Sequence, residues 1–141
     1  MKKVLLFLTL IFLYSCSSTK KAVNKPLYEV LVVNNDGGAN IKFYEILTEP
    51  KEIMMLLGDE TLRKLIHKGD TANSSFVILN AGPTKEPYNR IKVEKVVETP
   101  TQIEIQIKDT QKNLDPTQTV ENTAYPYTIL KVNSKKPIVI K

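Results

Sequence analysis

The sequence predicts one α+β domain, a mostly antiparallel β-sheet with one amphipathic helix or helix pair beside it. The domain is expected to span residues 27–141, since roughly 115 residues suffice for one compact core and not two. Several short segments rich in β-branched and aromatic residues are separated by turn residues, which indicates strands. Only the stretch 48–69 shows the spacing of apolar residues that is typical of a helix.

The residues before this domain predict a cleaved signal peptide. Lys2 and Lys3 precede an apolar run, residues 4–13, which is too short for a bilayer span of about 20 residues. The run ends in Leu13-Tyr14-Ser15-Cys16, which is similar to the lipobox of bacterial lipoproteins. Residues 1–15 are therefore expected to be a lipoprotein signal peptide. The alternatives are an ordinary secretory signal that is cut after Ser15 and an uncleaved amphiphilic tail.

Cys16 is the predicted lipidation site. It is the only cysteine of the chain and so has no intramolecular disulfide partner. The lipoprotein resemblance implies a diacylglycerol thioether on its sulfur and a fatty acyl group, such as palmitate, on its amine. Two or more acyl chains hold a protein stably at a membrane, whereas one chain holds it only marginally.

Residues 16–26 are expected to be the lipidated cysteine and a flexible tether, because residues 17–26 are polar, small and basic. Ser17 is not the aspartate that retains lipoproteins in the inner membrane of some bacteria. We therefore expect a cell-envelope protein in the outer membrane that faces the periplasm. Lys20, Lys21 and Lys25 lie close to the lipid in the sequence, and their attraction to anionic head groups is an open possibility.

The charge of the chain argues against a nucleic-acid partner. Removal of residues 1–15 takes away Lys2 and Lys3, which leaves 18 basic against 15 acidic side chains and lowers the formal net charge from +5 to +3. Such an excess is typical of a solvated basic surface, and an envelope location puts nucleic acid out of reach.

The first part of the domain predicts a β-hairpin followed by a helical segment. Leu27–Val33 has the composition of a strand, and residues 34–38, Asn-Asn-Asp-Gly-Gly, tolerate the positive φ angles of a turn. Ile41–Leu47 is therefore expected to return as the second strand. Thr48 is expected to cap the helix that follows, with Pro50 in its first turn.

The helical segment is expected to be divided and then to end on a glycine. Gly58-Asp59 should kink or split it, with Asp59 as the cap of the second half. His67-Lys68-Gly69 should close it, because cations stabilise the negative end of the helix dipole and glycine terminates helices.

The remaining strands are predicted from apolar runs and from alternation. Residues 76–79 form a continuous apolar run, as expected for a central strand, and residues 102–108 alternate between apolar and polar side chains. Residues 109–122 predict a polar loop. The other predicted strands are Tyr88–Val97, Tyr127–Val132 and Ile138–Ile140, the last two separated by a turn at Asn133-Ser134 and both placed in the same sheet.

The chemistry available to the domain predicts a protein that is not an enzyme. His67 is the only imidazole, and it is interpreted as a cation at a helix end. Without a second histidine or a free thiol, the usual transition-metal ligand sets cannot be built within one chain. The sequence contains no G-x-S-x-G, no phosphate loop and no dinucleotide fingerprint, and its carboxylates are scattered singly. No cofactor and no metal are expected.

Two segments are distinctive enough to be candidate binding sites. In the first, a strand stops at Gly82 and restarts at Tyr88 after a loop bounded by prolines. In the second, Pro126 marks either an edge strand or a strand start, because proline cannot donate to a sheet ladder. Both features fit ordinary strand ends with packed tyrosines, or else a binding edge, since tyrosine is enriched at interfaces. The candidate partner-binding residues are Gly82, Pro83, Thr84, Tyr88, Tyr125, Pro126 and Tyr127.

These segments, together with Ile91-Lys92-Val93 and residues 126–131, resemble the C-terminal domain of the protease complex subunit PrcB, a family of bacterial lipoproteins. The resemblance covers residues 76–141, and residues 28–66 fit more loosely. The family loop usually reads Thr-Gly-Gly-Tyr, whereas here Lys85-Glu86-Pro87 follows Thr84. The resemblance implies a lipoprotein that associates with an envelope protease complex and contributes to its assembly or stability.

The expected function is therefore that of a non-catalytic, membrane-anchored envelope lipoprotein that binds a protein partner, for example as an accessory subunit of a protease complex. One alternative is a protease inhibitor-like β-module, because a loop bounded by glycine and proline on a β-scaffold fits an active-site cleft. Another is a structural or small-ligand-binding lipoprotein, which a large closed apolar pocket beneath the helix would favour.

Overall fold

The computed structural model describes residues 25–85, 91–110 and 123–141. The predicted signal peptide, Cys16, most of the predicted tether, Tyr88 and residues 111–122 of the predicted polar loop lie outside these residues. The strands are β1 Tyr28–Asn34, β2 Lys42–Leu47, β3 Ser75–Ala81, β4 Ile91–Glu98, β5 Ile103–Asp109, β6 Tyr127–Val132 and β7 Ile138–Ile140. The helices are α1 Pro50–Leu56, α2 Glu60–Leu65 and α3 Asp70–Asn73. Mostly antiparallel sheets with three short helices confirm the α+β class for the described residues.

The first sheet has the strand order β1-β6-β3-β2 and is antiparallel throughout. The predicted hairpin of β1 and β2 is wrong, because these strands lie at opposite edges of this sheet. Residues 35–41 do not close a tight turn. They cross the ends of β6 and β3, where the Gly38 N–H donates to the Tyr125 carbonyl at 2.7 Å and the Asn80 side chain binds Ala39. These long-range hydrogen bonds outweigh the local turn preference.

The interior strands of this sheet are β6 and β3. The prediction of a central strand at residues 76–79 is confirmed. Of the two alternatives for Pro126, the edge strand is wrong, since β6 pairs with β1 on one side and β3 on the other. Pro126 marks a strand start, as expected. It immediately precedes β6, so its missing N–H does not interrupt the ladder, and its carbonyl accepts the Ala81 N–H at 3.0 Å.

A second sheet has the strand order β4-β5-β7. The prediction that β6 and β7 finish the same sheet is therefore wrong. The turn after β6 contacts the connection between β4 and β5, where Lys136 Nζ donates to the Thr99 carbonyl at 2.9 Å. Strand β7 then pairs with β5 in parallel, with Ile103 opposite Ile138. The predicted alternation along β5 is confirmed, since Ile103 and Ile105 are fully buried.

The four-stranded sheet is the middle of three layers. Successive residues of a strand point to opposite faces, so β3 places Val77 towards the second sheet and Phe76 towards the helices. The residues buried between the sheets are Val77, Leu79, Ile91, Ile103, Ile105, Leu130 and Val132. Those buried beneath the helices are Leu47, Ile53, Leu62, Ile66, Phe76 and Ile129. Full burial of such a side chain contributes about 1.5–3 kcal/mol.

The helices are short and separately capped. The predicted cap at Thr48 is wrong by one residue: Glu49 is the N-cap of α1, and the Glu52 carboxylate accepts the N–H groups of Thr48 and Glu49, each at 3.1 Å. Asp59 caps α2 as predicted, accepting from Thr61 at 2.8 Å and Leu62 at 2.9 Å. In the described part of the chain, no helix has the length and apolar character needed to cross a bilayer.

The strand directions give the four-stranded sheet two distinct ends. Strand β6 runs from Tyr127 to Val132, and antiparallel pairing places Asn34, Lys42 and Ala81 beside its start. We call that end the rim; it consists of residues 35–41, 82–85 and 123–126. We call the opposite end the base; it consists of residues 25–27, 48–49, 66–74, 99–102 and 133–137. At about 3.4 Å per residue, rim and base are separated by roughly 20 Å.

Candidate functional site

The rim brings the two predicted binding segments together. Thr84 and Ala124 form an antiparallel bridge, in which each N–H donates to the other carbonyl, at 2.8 and 2.9 Å. The Ala81 N–H donates to the Pro126 carbonyl next to it. Residues 82–84 and 125–127, which the sequence places about forty positions apart, therefore lie side by side because β3 and β6 are neighbours.

A third rim segment, residues 35–41, was not identified as part of the site from the sequence. The Asp36 carboxylate accepts the Tyr125 N–H at 2.9 Å, and Gly38 donates to the Tyr125 carbonyl. The fully buried Asn80 side chain accepts from the Ala39 N–H at 3.0 Å and donates to the carbonyls of Ala39 at 2.9 Å and Ile41 at 2.5 Å. The one available signal was an asparagine at the end of the apolar run of β3.

Two glycines allow these segments to approach one another. Gly82 has φ +73°, a left-handed conformation that favours glycine, and a Cβ there would lie 2.9 Å from the Lys42 nitrogen. A Cβ on Gly38 would lie 2.2 Å from Asn80 Oδ1 and 2.7 Å from the Tyr125 carbonyl oxygen. Both glycines therefore have a structural role in the close packing of the rim.

The predicted partner-binding residues differ in what they offer a partner. Pro83 is exposed and Tyr125 is half-buried, so both contribute surface. Gly82, Thr84 and Pro126 are buried and shape the rim from within. Tyr127 is half-buried and packs against the apolar cluster beneath the helices, with its hydroxyl 3.5 Å from Asn34 Nδ2. The contact surface that the described residues support is therefore formed by Pro83, Tyr125 and the 35–41 loop.

One ion pair links the rim end of β2 to the second sheet. Lys42 Nζ lies 2.5 Å from the Asp109 carboxylate and 5.7 Å from the centre of the Tyr44 ring. The hydrogen bond to Asp109 raises the pKa of Lys42, so the lysine is charged at neutral pH. The pair fixes the relative position of the two sheets beside the rim.

The base contains a buried ionic cluster, which the sequence did not suggest. Lys131 Nζ lies 3.0 Å from Glu29 Oε1 and 3.5 Å from Asp70 Oδ2, and both Lys131 and Asp70 are 5% exposed. Asp70 Oδ2 also accepts the His67 N–H at 2.8 Å. Hydrogen bonds from Asn133 and then from Lys131 lower the pKa of Glu29. The cluster ties β1, β6 and the start of α3 together.

A polar cavity of about 510 Å³ adjoins this cluster. Its lining residues are Lys25, Pro26, Leu27, His67, Gly69, Asp70, Asn73, Ser74, Glu98 and Asn133. Since it is polar and partly open, it differs from the closed apolar pocket that would favour a small apolar ligand. Its side chains offer hydrogen-bond donors and acceptors to a small polar molecule.

Metal-ligating side chains are dispersed in the described ranges. Among residues 25–85, 91–110 and 123–141, no group of three His, Cys, Asp or Glu side chains could hold a metal ion. His67, predicted to be a helix-end cation, is exposed and follows the end of α2 by two residues. Its backbone N–H, rather than its imidazole, binds the ionic cluster.

Comparison with known proteins identifies no match, so the function is inferred from the rim and the base of the fold. No protein-family model matches the chain, and neither does a curated protein or a solved structure. The resemblance to the PrcB C-terminal domain therefore stays a prediction.

Proposed function

We propose that the mature protein is a non-catalytic, lipid-anchored envelope protein that binds a protein partner through its rim. The observation that carries this proposal is the convergence of residues 36–38, 82–84 and 124–126 on one hydrogen-bonded surface. Because the backbone of this surface is already ordered, binding costs little conformational entropy. The resemblance to PrcB favours one form of this function, an accessory subunit of an envelope protease complex.

The chemistry of the rim suits a protein partner. Loops that are fixed on a rigid scaffold commonly carry binding surfaces, and the rim loops are held by β3 and β6. Tyr125 and Pro83 present flat, conformationally restricted surface, which is typical of interface anchors. Lipidation of Cys16 would anchor the protein to the outer membrane with its rim in the periplasm. The anchor would raise the local concentration of the rim near envelope partners.

Site-specific photo-crosslinking tests the rim as the contact surface. A photo-crosslinking amino acid replaces the exposed Pro83, and in a matched variant it replaces Lys95, which is exposed in the middle of β4. After irradiation of native envelopes, we expect the Pro83 variant to form an adduct with one envelope protein that the Lys95 variant does not form. Equal adducts from both positions, or none from Pro83, would contradict the proposal.

Two further measurements separate the parts of this proposal. Cys16→Ser should move the protein from the membrane fraction to the soluble fraction, and unchanged fractionation would contradict lipid anchorage. The partner that crosslinking identifies is then purified separately, and its activity is measured with the purified protein added. If that partner is a protease and micromolar protein inhibits it, the inhibitor-like alternative replaces the accessory role.

A second candidate function, binding of a small polar ligand, is favoured by the base cavity. Its volume is about 510 Å³, and Asp70 and Ser74 in its lining are buried polar groups. The exposed residue Asn73 lines it too, so Asn73→Trp should fill part of the space. A polar compound that raises the melting temperature of the wild type and not of Asn73→Trp supports ligand binding. Equal shifts in both proteins contradict it.

A further inference from the structure

We infer that the base faces the lipid surface and that the rim points away from it, so that anionic head groups contact the base. This inference rests on the proposed anchorage at Cys16 and goes beyond it by assigning the membrane-facing surface of the domain. It follows from where the chain enters the fold, how far the preceding residues can reach, and which charges lie at each end.

The entry point of the chain is fixed at the base. The Asn133 side chain donates to the Pro26 carbonyl at 2.7 Å, and the Asn133 N–H donates to the Leu27 carbonyl at 2.8 Å. Strand β1 then runs from the base to the rim, ending at Asn34 opposite Tyr127. The residue that follows the predicted tether is therefore held about 20 Å from the rim, because the seven residues of β1 are separated by six steps of about 3.4 Å each.

The length of chain before the base favours the same orientation. Lys25 lies nine positions after Cys16, and at most about 3.6 Å per position this stretch spans about 30 Å. The base lies where these residues join the domain, so a base-down orientation does not require them to be extended. With the rim at the membrane, they would have to run back along the whole of β1, which uses about two thirds of their maximum reach. A chain extended that far loses conformational entropy, so the base-down orientation is favoured.

The charges of the base fit an anionic surface. Lys25 and Lys68 are exposed and form no ion pair within the described residues. Lys135, whose Nζ donates to the Thr48 carbonyl at 2.6 Å, is the third lysine of the base that has no carboxylate partner in the described residues. The carboxylates of Asp70 and Glu98 are paired with lysines.

Two carboxylates near the base oppose this attraction in part. Glu49 and Glu52 lie at the start of α1, next to Thr48. Glu29 is a third unmatched carboxylate because it shares Lys131 with Asp70, and Lys51 beside Glu52 is a fourth lysine. Together these charges leave one net positive charge, to which Lys20 and Lys21 of the preceding chain add two. At the rim, in contrast, Lys85 and Asp36 carry opposite charges, and Lys42 at the adjoining end of β2 is paired with Asp109. The attraction is therefore concentrated where the chain meets the lipid.

Tryptophan quenching by brominated lipid tests this orientation, because the natural chain contains no tryptophan. Full-length lipidated protein carries a single reporter, either Thr101→Trp at the base or Pro83→Trp at the rim; both positions are exposed. Each variant is reconstituted into vesicles of phosphatidylcholine and phosphatidylglycerol that contain brominated phosphatidylcholine. We expect loss of fluorescence at position 101 and little change at position 83. Equal quenching, or stronger quenching at position 83, would overturn the inference.

A charge-reversal pair tests the contribution of the lysines. Lys68→Glu with Lys135→Glu, added to the Thr101→Trp reporter, should reduce quenching in the anionic vesicles and not in pure phosphatidylcholine, because each lysine near an anionic surface strengthens binding roughly fivefold. The matched control is Lys92→Glu with Lys95→Glu on β4. An equal effect of both pairs would overturn the role of the base lysines. Flotation of the vesicles is measured first: protein that fails to float contradicts the anchorage at Cys16 itself, whereas floating protein with the wrong quenching pattern contradicts the orientation alone.

Discussion

The rim and the base of the four-stranded sheet are held together by different chemistry. At the rim, the neutral Asn80 side chain forms three hydrogen bonds to the backbone of residues 39 and 41. At the base, the charged Lys131 side chain binds two carboxylates. Both side chains are buried and lie on the helix-covered face of neighbouring strands, with apolar residues between them. The sheet thus places its polar contacts at its two ends and keeps its middle apolar.

This difference indicates how each end responds to change. A neutral amide that binds backbone groups defines the shape of a loop and does not titrate near neutral pH, which suits a surface that presents the same geometry to a partner. Removal of one partner from a buried ion pair leaves an uncompensated buried charge, which is strongly destabilising. The base should therefore be the end that is more sensitive to loss of a single charge.

Lys131→Met should cause the largest loss of stability. The substitution keeps most of the side-chain volume and leaves the buried Asp70 carboxylate without its cation, which typically costs about 3–5 kcal/mol. The free energy of unfolding is measured in urea, with an unchanged slope against denaturant showing that the unfolded state is unaffected.

Lys64→Met is the matched control, because Lys64 forms an exposed ion pair with Glu60 on α2 and should cost no more than about 0.5 kcal/mol. If Lys131→Met is as mild as this control, the base does not depend on matched charge, and the contrast between the two ends disappears.

Asn80→Ala should cause the second largest loss, about 2–3 kcal/mol, since it removes a fully buried side chain together with its three partly buried hydrogen bonds to Ala39 and Ile41. It should also abolish crosslinking from Pro83 in protein that remains folded. Asn73→Ala at the base removes one exposed hydrogen bond, to the Gly69 carbonyl at 3.0 Å, and should cost no more than about 0.5 kcal/mol. Retention of the Pro83 adduct in folded Asn80→Ala would show that this amide does not shape the binding surface.

Local sequence signals predicted the elements of the fold well and their arrangement poorly. The apolar run of β3, the alternation of β5 and the Asp59 cap follow from periodicity and capping, which depend on near neighbours. The pairing of β1 with β6 brings together residues about one hundred positions apart, and no local pattern encodes it. The Asn-Asp-Gly-Gly segment misled for this reason: its turn preference is real, and long-range hydrogen bonds to residues 80 and 125 decide where it goes.

The candidate sites also divide into features that local sequence signals predicted and features that depend on long-range contacts. Glycine and proline at residues 82, 83 and 126 indicated the ends of two strands, and the structure brings those ends together. The third rim segment was missed because its partners, Asn80 and Tyr125, are distant in sequence. The sequence contains no sign that Lys131 is buried, since lysine is almost never fully buried unless it is paired. Its burial depends on Glu29 and Asp70, which only the folded sheet places beside it.

Gly38→Ala at the rim and Gly69→Ala at the base test how closely each end of the sheet is packed. The new Cβ on residue 38 would lie 2.2 Å from Asn80 Oδ1, so the 35–41 loop must shift, at a cost of about 1–2 kcal/mol. Gly69→Ala at the base is the matched control. Its Cβ would lie 4.0 Å from Asn73 Nδ2 and its φ is −77°, which alanine adopts, so we expect no loss and a gain of up to about 1 kcal/mol. Thermal unfolding measures both, and equal effects would show that rim and base are packed alike.

Glu29→Gln should have the smallest effect on stability, a loss that is present near neutral pH and disappears in acid. The pKa of Glu29 is held below its usual value of 4.5 by the hydrogen bond from Asn133 and then by Lys131. A carboxylate with a lowered folded-state pKa stabilises the protein above the unfolded-state value, and this contribution is lost as the pH falls through the folded-state value. Because the Glu29 side chain is 39% exposed, solvent screening limits the contribution to less than about 1 kcal/mol.

The measurement is the free energy of unfolding between about pH 6 and pH 3, a window that runs from above the ordinary pKa of a glutamate to below it. The wild type should lose stability as the pH falls through this window, and Glu29→Gln should lose less. Part of the slope remains in the variant, because the hydrogen bond from Lys141 also lowers the pKa of Glu104 in the second sheet. Glu60→Gln on the exposed face of α2 is the control and should follow the wild type. A slope in Glu29→Gln equal to that of the wild type would show that the ionic cluster of the base contributes no acid sensitivity, and that rim and base differ in geometry alone.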